Sequence, residues 1–308
     1  MATTISQTTV VYPDTSTESS LKSPVRAIFG YGYNDISNLS MTNFVNNYGT
    51  LSVDITGVGT QRNVLAAAGY GGDKAIFGYG YASSQVSLTN LVSNLGVVGN
   101  DVTGVGTARY ELSAAGYGGD KAIFGYGYTT VEVSLTNLVS NLGVVGNDVT
   151  GVGTARRSLA AAGYGGDKAI FGYGVGSGYF NLTNLVSNTG VVGNDVTGVG
   201  TSREGLAAAG YGGDKAIFGY GDTGSTSVSL TNLVSNTGVV GNDVTGVGTA
   251  RLYLAAAGYG GDKAIFGFGF IGSPVRTTNL VSNLGVVATN ITGIGTSRYS
   301  LAAASYSS

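Results

Sequence analysis

Six tandem copies of one unit of about 47 residues, each with four short β-prone runs and none with a helical stripe, predict an all-β chain. The architecture such units build is a six-bladed β-propeller of four-stranded antiparallel blades, its ring closed by the C-terminal strand completing the first blade. Three features point there: the repeat, the lack of a helical alternative, and the phase of the two chain ends.

The repeat is read most easily from GYGGDKAIFGYG, found at Gly69–Gly80, Gly116–Gly127, Gly163–Gly174 and Gly210–Gly221. A near copy ending in GFG starts at Gly258, and a shorter one, RAIFGYG, starts at Arg26. The basic position (Arg26, Lys74, Lys121, Lys168, Lys215, Lys263) advances in steps of 48, 47, 47, 47 and 48 residues. A period of that length suits propellers and two-helix solenoids. Glycine interrupts every stretch long enough for a helix with an apolar stripe, which disfavours the solenoid. The second full repeat instead offers strands over 112–117, 122–126, 133–140 and 148–152, here termed a to d, separated by glycine or Asn-Asp turns. Strand a, reading LAAAG in most copies, has the small side chains that a crowded innermost strand requires.

The array starts on a strand b (Ala27–Tyr31) and ends on a strand a (Leu301–Ser305). Pairing these two strands removes the free edges that a linear array would leave. The domain division expected is an N-terminal extension over 1–25 and the six-unit array over 26–308. The extension is rich in threonine and serine, with an apolar run at Thr8–Tyr12 that suits either an added edge strand or a tail. It lacks the basic and apolar regions of a secretory signal.

The order T-x-R-x-x-L-A-A-A-G-Y, then K-A-I-F-G-Y-G, a variable loop and T-N-L-V-S-N-x-G resembles the kelch repeat. An arginine precedes strand a in that family, and strand b ends in a double glycine, here spaced as Gly125 and Gly127. The family's strand-c tryptophan and tyrosine have no counterpart; Val144 and Val145 stand near the tryptophan position. The chain is more similar to glycine-rich kelch-like repeats of phage and environmental virus proteins. That resemblance implies a virion or extracellular surface as its setting and other virion or assembly proteins as partners.

Composition narrows function. Net charge is −2 and 10% of residues are charged, so there is no basic footprint of a nucleic-acid binder. Histidine, cysteine and tryptophan are absent. Disulfides are excluded, and zinc, copper and non-haem iron lose their usual ligands. A Ser-His-Asp arrangement is excluded too, and no metal or other cofactor is expected. Glu111, Glu132 and Glu204 belong to different units, with no repeated acid pair of the glycosidase kind. No apolar run is long enough to span a membrane. A non-catalytic module is expected, with a purely structural propeller as the alternative and a hydrolase as a distant third.

The copies differ in two places. One is the b–c loop (33–38, 81–86, 128–133, 175–180, 222–228 and 270–276). The other is the pair after each T-x-R arginine: residues 63–64, 110–111, 157–158, 204–205, 252–253 and 299–300. Antiparallel strand order puts b–c loops and d–a junctions on one face, and the constant a–b and c–d turns on the other. A ligand-facing surface or a merely tolerant set of loops explains this division. The ligand would be a glycan or a protein receptor.

Aromatic residues gather in the variable segments: Tyr33, Tyr81, Tyr110, Tyr128, Tyr179, Phe180, Tyr253, Phe270 and Tyr299. Exposed rings there can stack on sugars; otherwise they pack on the next blade. Arg62, Arg109, Arg156, Arg203, Arg251 and Arg298 open the innermost strands. They form either an anion site around the axial mouth or bridges to backbone carbonyls. Asp73, Asp120, Asp167, Asp214 and Asp262 at the a–b tip, and Asp101, Asp148, Asp195 and Asp243 after Gly-Asn, read as turn residues on the constant face. The tyrosines of GYGG and FGYG are expected to pack between blades.

Overall fold

The computed structural model describes residues 25–307, so the Thr8–Tyr12 run lies outside the described residues. The strands are β1 (Val25–Tyr33), β2 (Asn38–Val45), β3 (Ala66–Tyr70), β4 (Lys74–Gly78), β5 (Thr89–Val92), β6 (Ser113–Tyr117), β7 (Lys121–Gly125), β8 (Thr136–Val139) and β9 (Ala160–Tyr164). They continue with β10 (Lys168–Gly172), β11 (Thr183–Val186), β12 (Ala207–Tyr211), β13 (Lys215–Gly219), β14 (Thr231–Val234), β15 (Ala255–Tyr259), β16 (Lys263–Gly267), β17 (Thr278–Val281) and β18 (Ala302–Ser307). Among the described residues no helix is long and apolar enough to cross a membrane.

The strands form six three-stranded antiparallel sheets. Five are built from consecutive strands, such as β3-β4-β5, and the sixth is β18-β1-β2. In that sheet Ala27 stands opposite Ser305 and Gly30 opposite Ala302, so the last strand completes the first repeat.

The expectation of four strands per sheet is corrected to three. The fourth run touches the third only through isolated bridges, Thr89 to Val102 and Val92 to Val98 in the second sheet. Four residues separate the bridging partners on one side and three on the other, and this extra residue breaks the ladder as a bulge does. A side chain fills the gap: Asn90, fully buried, donates through Nδ2 to the Gly99 carbonyl at 3.0 Å and to Asp101 Oδ1 at 2.9 Å.

The core lies between sheets. On β4, Ile76 packs with Leu112, Ala122 and Phe124 of the following sheet. Its neighbours Ala75 and Phe77 pack with Ile28, Tyr31 and Ala302 of the preceding one. Alternation along a strand thus clamps each sheet from both sides. Burying one such Phe or Ile contributes roughly 1.5–3 kcal/mol. The first and last repeats share a core in the same way, with Phe29 and Leu301 against Ile265 and Phe268. Close approach explains a glycine here: a Cβ on Gly78 would stand 2.6 Å from Cζ of Phe124.

The innermost strands touch in cyclic order, β3 to β6, β9, β12, β15, β18 and back to β3. Backbone hydrogen bonds run around both ends of this cycle. At one end the amides of Val64, Glu111, Ser158, Gly205, Tyr253 and Ser300 each donate to the carbonyl of the previous member, Val64 donating to Ser300, at 2.7–2.9 Å. At the other end Gly71 donates to Asp120, Gly118 to Asp167, Gly165 to Asp214, Gly212 to Asp262, Gly260 to Val25 and Ser307 to Asp73, at 2.7–3.0 Å. The two cycles run in opposite senses.

The segregation of loops follows. The residue after each arginine bridges the first residue of the b–c loop, as in Asn63 with Tyr81, Tyr110 with Tyr128 and Tyr299 with Tyr33. Both variable segments therefore share one face. The a–b tips meet the c–d turns on the other, with Gly71 against the Asn141 carbonyl.

Candidate functional site

The six arginines begin at the variable face and turn inward. Each is 0% exposed. Arg109 donates through Nε to the Tyr126 carbonyl at 2.8 Å, through Nη1 to the Thr107 carbonyl at 3.1 Å, and through Nη2 to Asn137 Oδ1 at 2.7 Å. Its guanidinium lies 4.4 Å from the centre of the Tyr79 ring of the preceding sheet. Arg62, Arg156, Arg203 and Arg251 repeat these bonds. Arg298 does so in part, through Asn43 and the Thr296 carbonyl, and its Nε has no partner. Burial pulls the arginines below their usual pKa, against the charges and rings that oppose it. Of the two readings the sequence left for these arginines, the anion site around an axial mouth is corrected by their full burial, whereas the bonds to backbone carbonyls are present. The guanidiniums are pins inside the sheets, bonded to carbonyls and asparagine, because a buried charge must be matched by hydrogen bonds. The axial void beside them is about 100 Å³ and is lined by residues such as Leu65, Ala66, Leu112 and Ala114.

The aspartates after Gly-Asn are also corrected. The tight turn is Ser93–Gly96, and Asp101 lies beyond it. Asp101 Oδ2 accepts from the Thr60 hydroxyl at 2.6 Å and from its amide at 3.0 Å. Burial alone would raise its pKa, but hydrogen bonds from Thr60 and Asn90 and the charge of Arg62 hold it below the usual range. Asp54, Asp148, Asp195 and Asp243 behave alike. They fasten the outer run of each sheet to the segment entering its innermost strand. Sequence reasoning missed this Thr-Arg-Asn-Asp network because its members are 28 and 41 residues apart.

The FGYG tyrosines are fully buried between sheets, with Tyr79 against Phe124 at 5.1 Å and its hydroxyl donating to the Val105 carbonyl at 3.0 Å. The GYGG tyrosines are buried too, with Tyr70 against Gly143 of the next repeat.

The aromatic residues of the variable face form two groups. Tyr299 meets Tyr33 at 5.8 Å, Phe270 at 4.9 Å and Tyr253 at 6.3 Å. Tyr110 meets Tyr81 at 5.4 Å and Tyr128 at 5.5 Å, and Arg157 covers Tyr128 at 4.9 Å. Most of these rings are half-buried on one another, as is Phe180. Tyr81 and Tyr179 are the most open, at 38% and 39% exposed.

Between the two groups lies a charged cluster. Arg157 Nη1 donates to Glu111 Oε2 at 3.0 Å, its Nε stands 3.2 Å from Glu132 Oε1, and the Ser158 hydroxyl donates to Glu111 at 2.9 Å. Burial first, then the nearby Glu111, raises the pKa of Glu204. Burial, with Glu204 and Glu111 adding to it, raises that of Tyr253. The expectation that Glu111 and Glu132 belong to different units is corrected: both flank the sheet β6-β7-β8 and pair with the arginine of the next repeat, while Glu204 comes from the repeat after that. The usable signal was register: Glu111 and Arg157 are 46 residues apart, Glu111 and Ser158 are 47, and equal positions adjoin in a cycle.

No protein-family model matches the chain, and none of the curated proteins matches it. What the site can do must come from its geometry. The variable face offers aromatic rings with one open side, hydroxyls, and a cluster in which Arg157 faces carboxylates of neighbouring repeats. Val25, the first described residue, lies on the opposite side, where its carbonyl accepts the Gly260 amide.

Proposed function

We propose that the chain is a closed, kelch-like six-bladed β-propeller acting as a non-catalytic binding module, with the variable face recognising a glycan or another surface receptor. The observation that carries this reading is the meeting of both variable segments on one face, where they bring together the aromatic groups and the Arg157 cluster. Rings with one buried and one open side suit the apolar faces of sugars, and adjacent carboxylates and hydroxyls suit sugar hydroxyls. A setting on a virion or another larger particle belongs to the same proposal.

A glycan array probed with the labelled protein tests the reading. Binding is expected to one class of glycan, and Tyr81→Ala with Tyr179→Ala should weaken it by about tenfold, or about 1.4 kcal/mol. Failure to bind any glycan or cell surface overturns it and favours a structural role, in which the constant face seats the module in an assembly.

A further inference from the structure

The constant face holds a second feature, independent of the variable one. Around the axis the a–b tips enclose a cavity of about 360 Å³. It is lined by glycines such as Gly72 and Gly119, tyrosines such as Tyr70 and Tyr117, and Lys74, Lys121, Lys168, Lys215 and Lys263. This volume lies at the lower end of small-molecule sites.

The charges are arranged radially. Each lysine pairs with the aspartate before it, as in Lys121 to Asp120 at 2.8 Å and Lys263 to Asp262 at 2.7 Å. All five lysines line the cavity, whereas of the paired aspartates only Asp214 does so. Asp120 is held below its usual pKa by Lys121 first and also by Asn141 of the c–d turn, which lies outward from the axis. Asp167 and Asp214 show the same pattern with Asn188 and Asn236. The first repeat has Val25 and Arg26 in place of the Asp-Lys pair, so the tips carry one more positive than negative charge. All five basic residues of the tip pairs border the cavity, while Asp73, Asp120, Asp167 and Asp262 do not.

We propose that this axial cavity binds a compact polyphosphate anion. Each lysine carries three rotatable donors, and a ring of five lysines bordering one concave site, with four of their five aspartate partners outside the lining, favours an anion over a cation there. A ligand with phosphates disposed around a ring engages several lysines at once, whereas a single phosphate reaches few. Only a ligand on the axis uses the near-identity of the tips, which the variable face does not share.

The test is calorimetric titration with inositol hexakisphosphate and, separately, inorganic phosphate at low ionic strength. The hexakisphosphate should bind at least about tenfold more tightly. Lys121→Gln with Lys215→Gln should weaken it by about tenfold or more, and Asp120→Asn with Asp167→Asn should strengthen it. These side chains are surface groups, so thermal melts should confirm that the variants fold. Tyr81→Ala with Tyr179→Ala should leave polyphosphate binding unchanged, which separates this site from the receptor face. Equal affinity for the two anions, no binding, or indifference to the lysine substitutions overturns the proposal.

Discussion

The amide of Val64 donates to the carbonyl of Ser300 at 2.8 Å, joining the start of the array to its end. Both residues lie in the left-handed region, Val64 at φ 46° and Ser300 at φ 52°, as do the other four members of their cycle. The cycle uses backbone groups alone. Its side chains are Val, Glu, Ser, Gly, Tyr and Ser in order. That explains how this position varies between repeats without loss of the contact.

The same geometry predicts a stability difference. A non-glycine residue in the left-handed region costs about 1–2 kcal/mol, more when β-branched. Gly205→Val should therefore lower the melting temperature and Val64→Gly should raise it. Thermal unfolding followed by circular dichroism reads both. Equal and opposite shifts to those expected would mean that the backbone cycle does not set these angles.

The arginine pins should dominate local stability. Arg109→Leu leaves Asn137 Oδ1 and two carbonyls without their donor and should cost about 3–5 kcal/mol by urea unfolding. Arg109→Lys should not restore this, since an ammonium cannot reproduce the planar fork over the Tyr79 ring.

Acid should weaken the fold through the second aspartate set. Asp54, Asp101, Asp148, Asp195 and Asp243 are held in the fold below the ordinary aspartate pKa of 3.8. Their contribution is present above 3.8 and is lost as pH falls through the depressed values, so stability should decline on acidification from about pH 4 downward. The sixth repeat has Asn290 there, accepting the Thr249 amide at 3.1 Å and donating to its hydroxyl at 2.6 Å. Asp148→Asn should accordingly flatten the acid slope of a urea-midpoint titration while changing the neutral value little.

Packing against the central strands sets a further contrast. A Cβ on Gly78 meets Phe124 at 2.6 Å, whereas one on Gly72 meets nothing within 4 Å. Gly78→Ala should cost about 1–3 kcal/mol through overpacking. Gly72→Ala, at φ 80°, should cost about 1–2 kcal/mol through backbone strain alone. Chemical denaturation separates the two only weakly, but a temperature-dependent shift of the Phe124 ring resonances should appear with the first alone.

Much of the fold was legible in the sequence. Strands a, b and c followed from β-prone runs between glycine turns, and the pairing of β18 with β1 followed from the phase of the ends. The fourth strand was misjudged because Asn90, a side chain, takes the place of ladder bonds that a backbone pattern implies. The arginines and their bonding to carbonyls were legible as one of two readings, but their asparagine partner was hidden because Asn137 lies on another strand, 28 residues from Arg109. The Arg157 cluster was hidden because it exists only where unlike copies adjoin.

Residue-resolved hydrogen exchange of the Val64 amide is the most direct test of the closed cycle. In the closed array Val64 should be protected as strongly as Glu111 and Ser158, which make the equivalent bond within the chain. A Val64 amide exchanging at the rate of an unstructured peptide, with Glu111, Ser158, Gly205, Tyr253 and Ser300 still protected, would show an open array and contradict the account.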